Sequence, residues 1–65
     1  RFPEIRDVQG IIISRVGDSL HVVLKCYFDP NISMEQIHTI SDKLEAAIKN
    51  AYPKVDRIDI HEEPA

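Results

Sequence analysis

The chain has 65 residues, with 8 Lys and Arg against 11 Asp and Glu, and a formal net charge of −3. A chain this short forms one small domain, residues 1–65, and buries only about 60% of the surface that its unfolded form exposes. Its charges are interspersed and lack the basic stripe of a nucleic-acid-binding surface, so nucleic acid is not an expected partner. A single cysteine excludes an internal disulfide, and no apolar run approaches the ~20 residues that span a bilayer.

The first half of the chain predicts a β-hairpin. Residues 7–16 are rich in β-branched side chains and predict one strand, and residues 20–28 predict a second strand antiparallel to it. Gly17 and Asp18 lie between them, in a combination that suits a tight hairpin turn. Asp29 and Pro30 end the second strand, because proline restricts the residue before it and cannot continue a ladder.

The stretch 29–51 predicts the single long amphipathic helix of the chain. Ser33 stands at the N-cap position with Gln36 three residues later, which is the pattern of a capping box. Ile32 and Ile37 have the spacing of a hydrophobic staple across this start, and Pro53 stops the helix. The apolar stripe recurs every three or four residues and consists of Ile37, Ile40, Leu44, Ala47, Ile48 and Ala51.

Residues 55–61 predict a third strand, in which apolar and polar side chains alternate and which ends before Pro64. Ile58 and Ile60 are expected to face the core, with Arg57, Asp59 and His61 on the other side. The element order predicts an α+β domain: a ferredoxin-like or metallochaperone-like two-layer sandwich in the order β-β-α-β, with the first helix of that plan missing.

The first two strands carry apolar side chains on both faces of the predicted sheet. Residues 11–13 are three consecutive isoleucines, and residues 20–24 are apolar except for His21. One helix covers one face of a small sheet, whereas strands that are apolar on both faces are normally buried on both. We therefore expect a missing segment or a second copy of the chain, in a homodimer, to cover the other face. The alternative is that these are ordinary exposed apolar residues.

Histidines and carboxylates late in the chain are candidate metal ligands. His38 lies on the polar side of the helix, where Asp42 and Glu45 are neighbours. His61 and Glu63 lie two residues apart at the end of the last strand, on one side of it, and such a pair can converge on a zinc ion, which takes nitrogen and oxygen ligands. The alternative interpretation is that all of these are solvated surface residues.

The remaining candidates for chemistry are weaker. Cys26 shares strand parity with Leu24 and Phe28, which favours a buried core thiol over a nucleophile. His21 is expected to be an exposed strand residue beside the turn. Glu62 and Glu63 point to opposite faces of a strand and cannot form an acid–base pair, and no glycine-rich phosphate loop is present. The chain is therefore not expected to be an enzyme.

Taken together, these segments resemble the cytoplasmic C-terminal domain of cation diffusion facilitators. The most specific segments are Asp29-Pro30, MEQIHTISDKLE, YPKVD and IHEEP, and the resemblance extends from Phe2 to Pro64. It implies a metallochaperone-like fold of two helices on a three-stranded sheet. It also implies a homodimer attached to the transmembrane domain of a divalent-cation efflux transporter, on the cytoplasmic side of the membrane. The family's first cytoplasmic helix would lie before Arg1, so the chain is expected to be a fragment of a larger membrane protein.

The resemblance also implies a cytoplasmic zinc site. The family takes one ligand from the second strand, one from the helix, and a histidine and a carboxylate from the final strand. His38, His61 and Glu63 occupy the last three of these positions and are therefore the expected ligands of Zn²⁺ or a similar divalent cation. Lys25 occupies the second-strand position, and an ammonium group does not ligate a cation. His21 lies roughly 13 Å further along that strand, at ~3.3 Å per residue, and cannot replace the missing ligand.

The function expected from the resemblance is that of a regulatory and dimerisation domain in which bound metal tightens the pairing of two copies. Two alternatives remain at this stage. One is a structural dimerisation module without metal. The other is a freestanding soluble metal-binding carrier of the same fold, although the chain lacks the paired cysteines that carriers of soft metals use.

Overall fold

A computed structural model of the protein describes residues 2–65. Strand β1 spans Ile5–Val16, strand β2 spans Ser19–Phe28, helix α1 spans Met34–Ala51 and strand β3 spans Val55–Pro64. The order β-β-α-β confirms the predicted fold class. The outer strands are longer than expected: β1 begins two residues before Asp7, and β3 continues three residues beyond His61.

The three strands form one sheet in the order β1-β2-β3. β1 pairs antiparallel with β2 through the two-residue turn at Gly17-Asp18, as predicted, and Gly17 has a φ of 59°. A positive φ at the first central residue is characteristic of a type II′ turn and favours glycine there. β3 pairs parallel with β2, which is possible because α1 supplies the crossover between them.

Helix α1 begins where the capping residues predict. The backbone N–H of Gln36 donates to Oγ of Ser33 at 3.1 Å, and the N–H of Ser33 donates to Oε1 of Gln36 at 3.0 Å. This reciprocal pair is the predicted capping box, and it satisfies donors that the first helical turn otherwise leaves without partners. The helix ends at Ala51, before Pro53.

The core lies between α1 and one face of the sheet, which we call the helix face. Alternate residues of β2 point to this face and are buried, as its regular alternation of buried and half-buried residues shows. The buried apolar residues are Val22, Leu24, Cys26, Phe28, Val55 and Ile58. The helix contributes partly buried side chains at Ile37, Ile40, Leu44 and Ile48. The other face of the sheet, which carries His21, Val23, Lys25 and Tyr27 of β2, is called the open face.

Strand β1 is not covered by α1 in this chain. Every residue of β1 after Ile5 is exposed, whereas β2 and β3 contain the buried strand residues. Ile13 lies opposite Val22 on the helix face, and Ile12 lies opposite Val23 on the open face. Their exposed fractions are 63% and 57%. The prediction that β1 carries apolar side chains on both faces of the sheet is therefore confirmed.

A β-bulge lies within β1 at Gly10. The register with β2 shifts between Gln9 and Ile12, so that two residues of β1 face one residue of β2. Gly10 has a φ of 64°, the conformation that glycine adopts in a bulge of the G1 type. Because of the bulge, Gln9 and Ile12 lie on the same face of the sheet although they are three residues apart in the sequence.

Candidate metal site

His61 and Glu63 lie on the open face, at the end of β3. His61 is directly opposite Lys25 and Glu63 is directly opposite Tyr27 in the parallel ladder. Partners across a ladder project to the same face, and Lys25 and Tyr27 alternate with the buried residues of β2. His61 and Glu63 therefore lie on the same side of β3, as predicted, and Lys25 is the cross-strand neighbour of His61.

His38 lies on α1, on the helix face of the sheet, and its nearest carboxylate is Glu62. Nε2 of His38 is 3.5 Å from Oε1 of Glu62, and the two side chains are 63% and 22% exposed. Glu62 is opposite Cys26 in the ladder, which places it on the helix face. The carboxylate beside His38 thus belongs to Glu62, the residue that lies between His61 and Glu63 in the sequence.

Glu62 is held in place by a serine of the helix. Oγ of Ser41 donates to Oε2 of Glu62 at 2.7 Å, and Ser41 is the buried polar residue of α1. Cys26, opposite Glu62, is fully buried, which confirms the predicted core thiol. Burial, together with the negative charge of Glu62, raises the pKa of the Cys26 thiol, so that this cysteine remains a neutral member of the core.

The sheet separates the three predicted ligands. His38 lies on the helix face, whereas the register places His61 and Glu63 on the open face. Within residues 2–65, no group of three or more His, Cys, Asp or Glu side chains is close enough to hold a metal ion. A complete coordination shell therefore requires donors from outside this set, such as water or another chain.

A second histidine–carboxylate pair lies on the open face, at the other end of the sheet. Nε2 of His21 is 2.7 Å from Oδ2 of Asp59, and Nε of Arg57 is 3.5 Å from the same oxygen. The hydrogen bond with His21 is the main reason why the pKa of Asp59 is lowered, and the positive charge of Arg57 adds to it. The expected lone surface histidine is therefore a half-buried partner of β3. The sequence did not indicate this pair, because the contact depends on the register of β3 against β2.

A surface cavity of about 270 Å³ lies where the sheet meets the start of α1. Glu62 and Glu63 both border it, because β3 ends there. The N–H of Asn31 and the guanidinium of Arg6 donate to Asp29 at its edge, and these hydrogen bonds lower the pKa of Asp29. The other lining residues are mainly apolar: Phe28, Pro30, Ile32, Met34, Ile37 and Pro64.

Solved structures share this fold closely. The metal-bound C-terminal domain of the CzcD transporter from Thermotoga maritima superposes with a TM-score of 0.93, at 22% identity over 97% of this chain and 73% of that chain. A substituted C-terminal domain of MamM in its manganese form gives 0.88, at 22% identity over 100% and 82%. The same domain of the magnetosome protein MamB from Desulfamplus magnetovallimortis BW-1 gives 0.88, at 24% identity over 97% and 78%.

Sequence comparison identifies the family of the chain. No curated protein matches it. None of the helices in residues 2–65 combines the length and apolar character that crossing a bilayer requires. The family model described as "Cation efflux protein, cytoplasmic domain" matches residues 1–65, the whole of the chain. The resemblance seen in its motifs is thereby confirmed, and the chain belongs to the family of cation efflux protein cytoplasmic domains.

Proposed function

We propose that residues 1–65 act as a single dimerising, metal-responsive domain on the cytoplasmic side of a divalent-cation efflux transporter, attached to its transmembrane part. The observation that carries this proposal is the family match over the full length of the chain. Support comes from relatives of the same fold, one described as a metal-bound transporter domain and another as a manganese form. The role is regulatory, and no reaction is assigned to the domain.

The proposed ligands of Zn²⁺ or a similar cation are His38, His61 and Glu63. Imidazole nitrogen and carboxylate oxygen are suitable donors for such an ion. His61 and Glu63 offer a pair on the open face, and His38 offers a separate donor on the helix face. Within one copy of the chain, His38 and the pair of His61 and Glu63 lie on opposite faces of the sheet and do not reach the same ion. A second copy would bring donors from both surfaces to shared ions, and this would link metal binding to dimerisation.

The exposed isoleucines of β1 support the homodimer. Ile12 and Val23 are cross-strand partners on the open face, the face that also carries His61. Burial of apolar surface contributes about 25 cal/mol per Å², and a domain of this size gains much of its cohesion from such contacts. Metal tightens the dimer only to the extent that it binds the tight arrangement better than the loose one.

Sedimentation equilibrium at micromolar concentration, with and without zinc, tests this function. We expect a dimer whose association strengthens when zinc is added, together with a higher melting temperature, because the unfolded chain has no preformed site. A monomer at every concentration, with or without zinc, would contradict the dimerising role.

A metal-free dimerisation module is the second candidate function. It is favoured by one specific observation, the position of Lys25 directly opposite His61, since an ammonium group repels a cation bound there. A dimer whose association constant is the same with zinc and with a chelator would support this alternative over the metal-responsive one.

A further inference from the structure

Within residues 2–65, the open face of the sheet carries a half-buried lysine without an ionic partner. Lys25 lies between Val23 and Tyr27 on this face of β2, and all three side chains are half-buried. The ion pairs formed among residues 2–65 do not include Lys25. Partial removal from water disfavours an ammonium group unless a carboxylate compensates for it. A carboxylate supplied by a second copy of the chain would therefore stabilise Lys25 in this position.

Glu63 is the carboxylate of the open face that is left for such a contact. Oδ2 of Asp59 already lies 2.7 Å from a histidine nitrogen. Asp7, which is opposite Tyr27 on this face, accepts a hydrogen bond from the side chain of Gln9 at 2.7 Å. Glu63, in contrast, is exposed and takes part in none of the ion pairs among residues 2–65. One positive and one negative group on the same face are thus left to pair.

We propose that two copies of the chain pair through their open faces, with the ammonium group of Lys25 in each copy bound to the Glu63 carboxylate of the other. This inference rests on the proposed dimerising function and adds a contact that holds the pair together without metal. A two-fold axis makes the contact occur twice, because residues that meet across such an interface meet in both directions. The lysine is then a tethered cation on the face where the metal-responsive proposal places a bound one.

Apolar side chains beside Lys25 strengthen the proposed contact. Ile12 and Val23 are opposite each other on the open face, and Val23 is two residues before Lys25 on the same strand. The Ile12 side chain is 57% exposed in one copy. Burying this apolar pair against a second copy would remove water from beside the lysine, and opposite charges attract more strongly where water is excluded. Without such cover, a surface ion pair contributes little to association.

Sedimentation equilibrium of the 65-residue chain in EDTA, which removes any metal, tests the contact. Lys25→Glu and Glu63→Lys each place like charges together twice in the dimer. We expect each substitution to raise the dissociation constant at least about tenfold. Lys43→Glu makes the same charge change at an exposed position of α1, and as the control it should change the constant less than about twofold.

An equimolar mixture of the two variants distinguishes a contact between copies from one within a copy. Lys25 and Glu63 are diagonal neighbours in the ladder, so a pair within one chain is the alternative. In a heterodimer of Lys25→Glu with Glu63→Lys, both contacts between copies again join opposite charges, and the mixture should associate about as strongly as the parent. A pair within one chain predicts no recovery, because each chain keeps its own repulsion. Circular dichroism shows whether each variant is folded, and a chain with both substitutions should dimerise like the parent.

Each outcome bears differently on the inference and on the proposed function. No weakening in either variant, or no recovery on mixing, would overturn the inference and leave the dimerising function in place. A parent that dimerises with zinc but is monomeric in EDTA would also overturn the inference, while supporting the metal-responsive function. A parent that is monomeric with and without zinc would contradict both.

Discussion

Lys25 lies directly opposite His61 in the parallel ladder between β2 and β3, on the face of the sheet turned away from α1. Side chains opposite each other in a ladder are neighbours, with Cβ atoms about 5 Å apart. Lys25 therefore stands at the strand position from which a third ligand would reach an ion bound by His61 and Glu63.

Replacing Lys25 by histidine should create a three-ligand site on the open face. Lys25→His places an imidazole opposite His61, with Glu63 two residues further along β3. Removal of a repelling charge and addition of a nitrogen donor should tighten zinc binding at least tenfold, as measured by calorimetric titration. Lys25→Gln, which removes only the charge, is the control. If the glutamine variant binds zinc as tightly as the histidine variant, charge alone explains the gain.

Disrupting the apolar surface of β1 should identify the face that pairs two copies. Ile12→Asp places a charge on the open face, and Ile13→Asp places one on the helix face at a similarly exposed position. We expect Ile12→Asp to raise the dimer dissociation constant at least about tenfold, since burying an isoleucine is worth about 1.5–3 kcal/mol. Sedimentation equilibrium measures the effect. The opposite pattern, with dissociation only in Ile13→Asp, would assign pairing to the helix face.

Removing the helix cap should destabilise the domain. Ser33→Ala deletes the oxygen that accepts the Gln36 N–H at 3.1 Å, which should lower the free energy of unfolding by about 1 kcal/mol. Urea denaturation monitored by circular dichroism gives this value. Ser33→Thr keeps the accepting oxygen and should retain most of the stability. An alanine variant as stable as the parent would show that this hydrogen bond makes no net contribution.

The His21–Asp59 pair should make stability depend on pH in the acid range. The pKa of folded Asp59 is lowered from its ordinary 3.8, mainly by the hydrogen bond with His21. Its contribution is therefore fully present above pH 3.8 and is lost as the pH falls through the lower folded value. Asp59→Asn should show a smaller loss of stability than the parent between pH 5 and the acid-unfolded state.

A titration of the Asp59 carboxyl by NMR distinguishes the effects of His21 and Arg57 on the pKa of Asp59. His21→Ala should return the Asp59 pKa most of the way towards its ordinary value, whereas Arg57→Ala should raise it less, because the hydrogen bond with His21 is the larger cause. An equal response to the two substitutions would mean that the surrounding charge, rather than the hydrogen bond, lowers the pKa.

Local features of the sequence were sufficient to predict the elements and most of the core. The capping pair of Ser33 and Gln36 located the start of α1, and the glycine of the hairpin turn located the boundary between β1 and β2. Strand parity correctly placed Cys26 in the core. These features are predictable because capping, turn conformation and alternation each depend on residues a few positions apart.

The surroundings of the candidate ligands were decided by tertiary structure. The sequence by itself determined that His61 and Glu63 share one side of a strand and that Glu62 faces the other. It did not determine that α1 would place His38 against Glu62, or that Lys25 would lie opposite His61. Those contacts depend on the register of β3 against β2, where a shift of one residue exchanges the two faces. That register pairs residues that lie far apart in the sequence, such as Lys25 and His61, and no single stretch of the sequence contains that information.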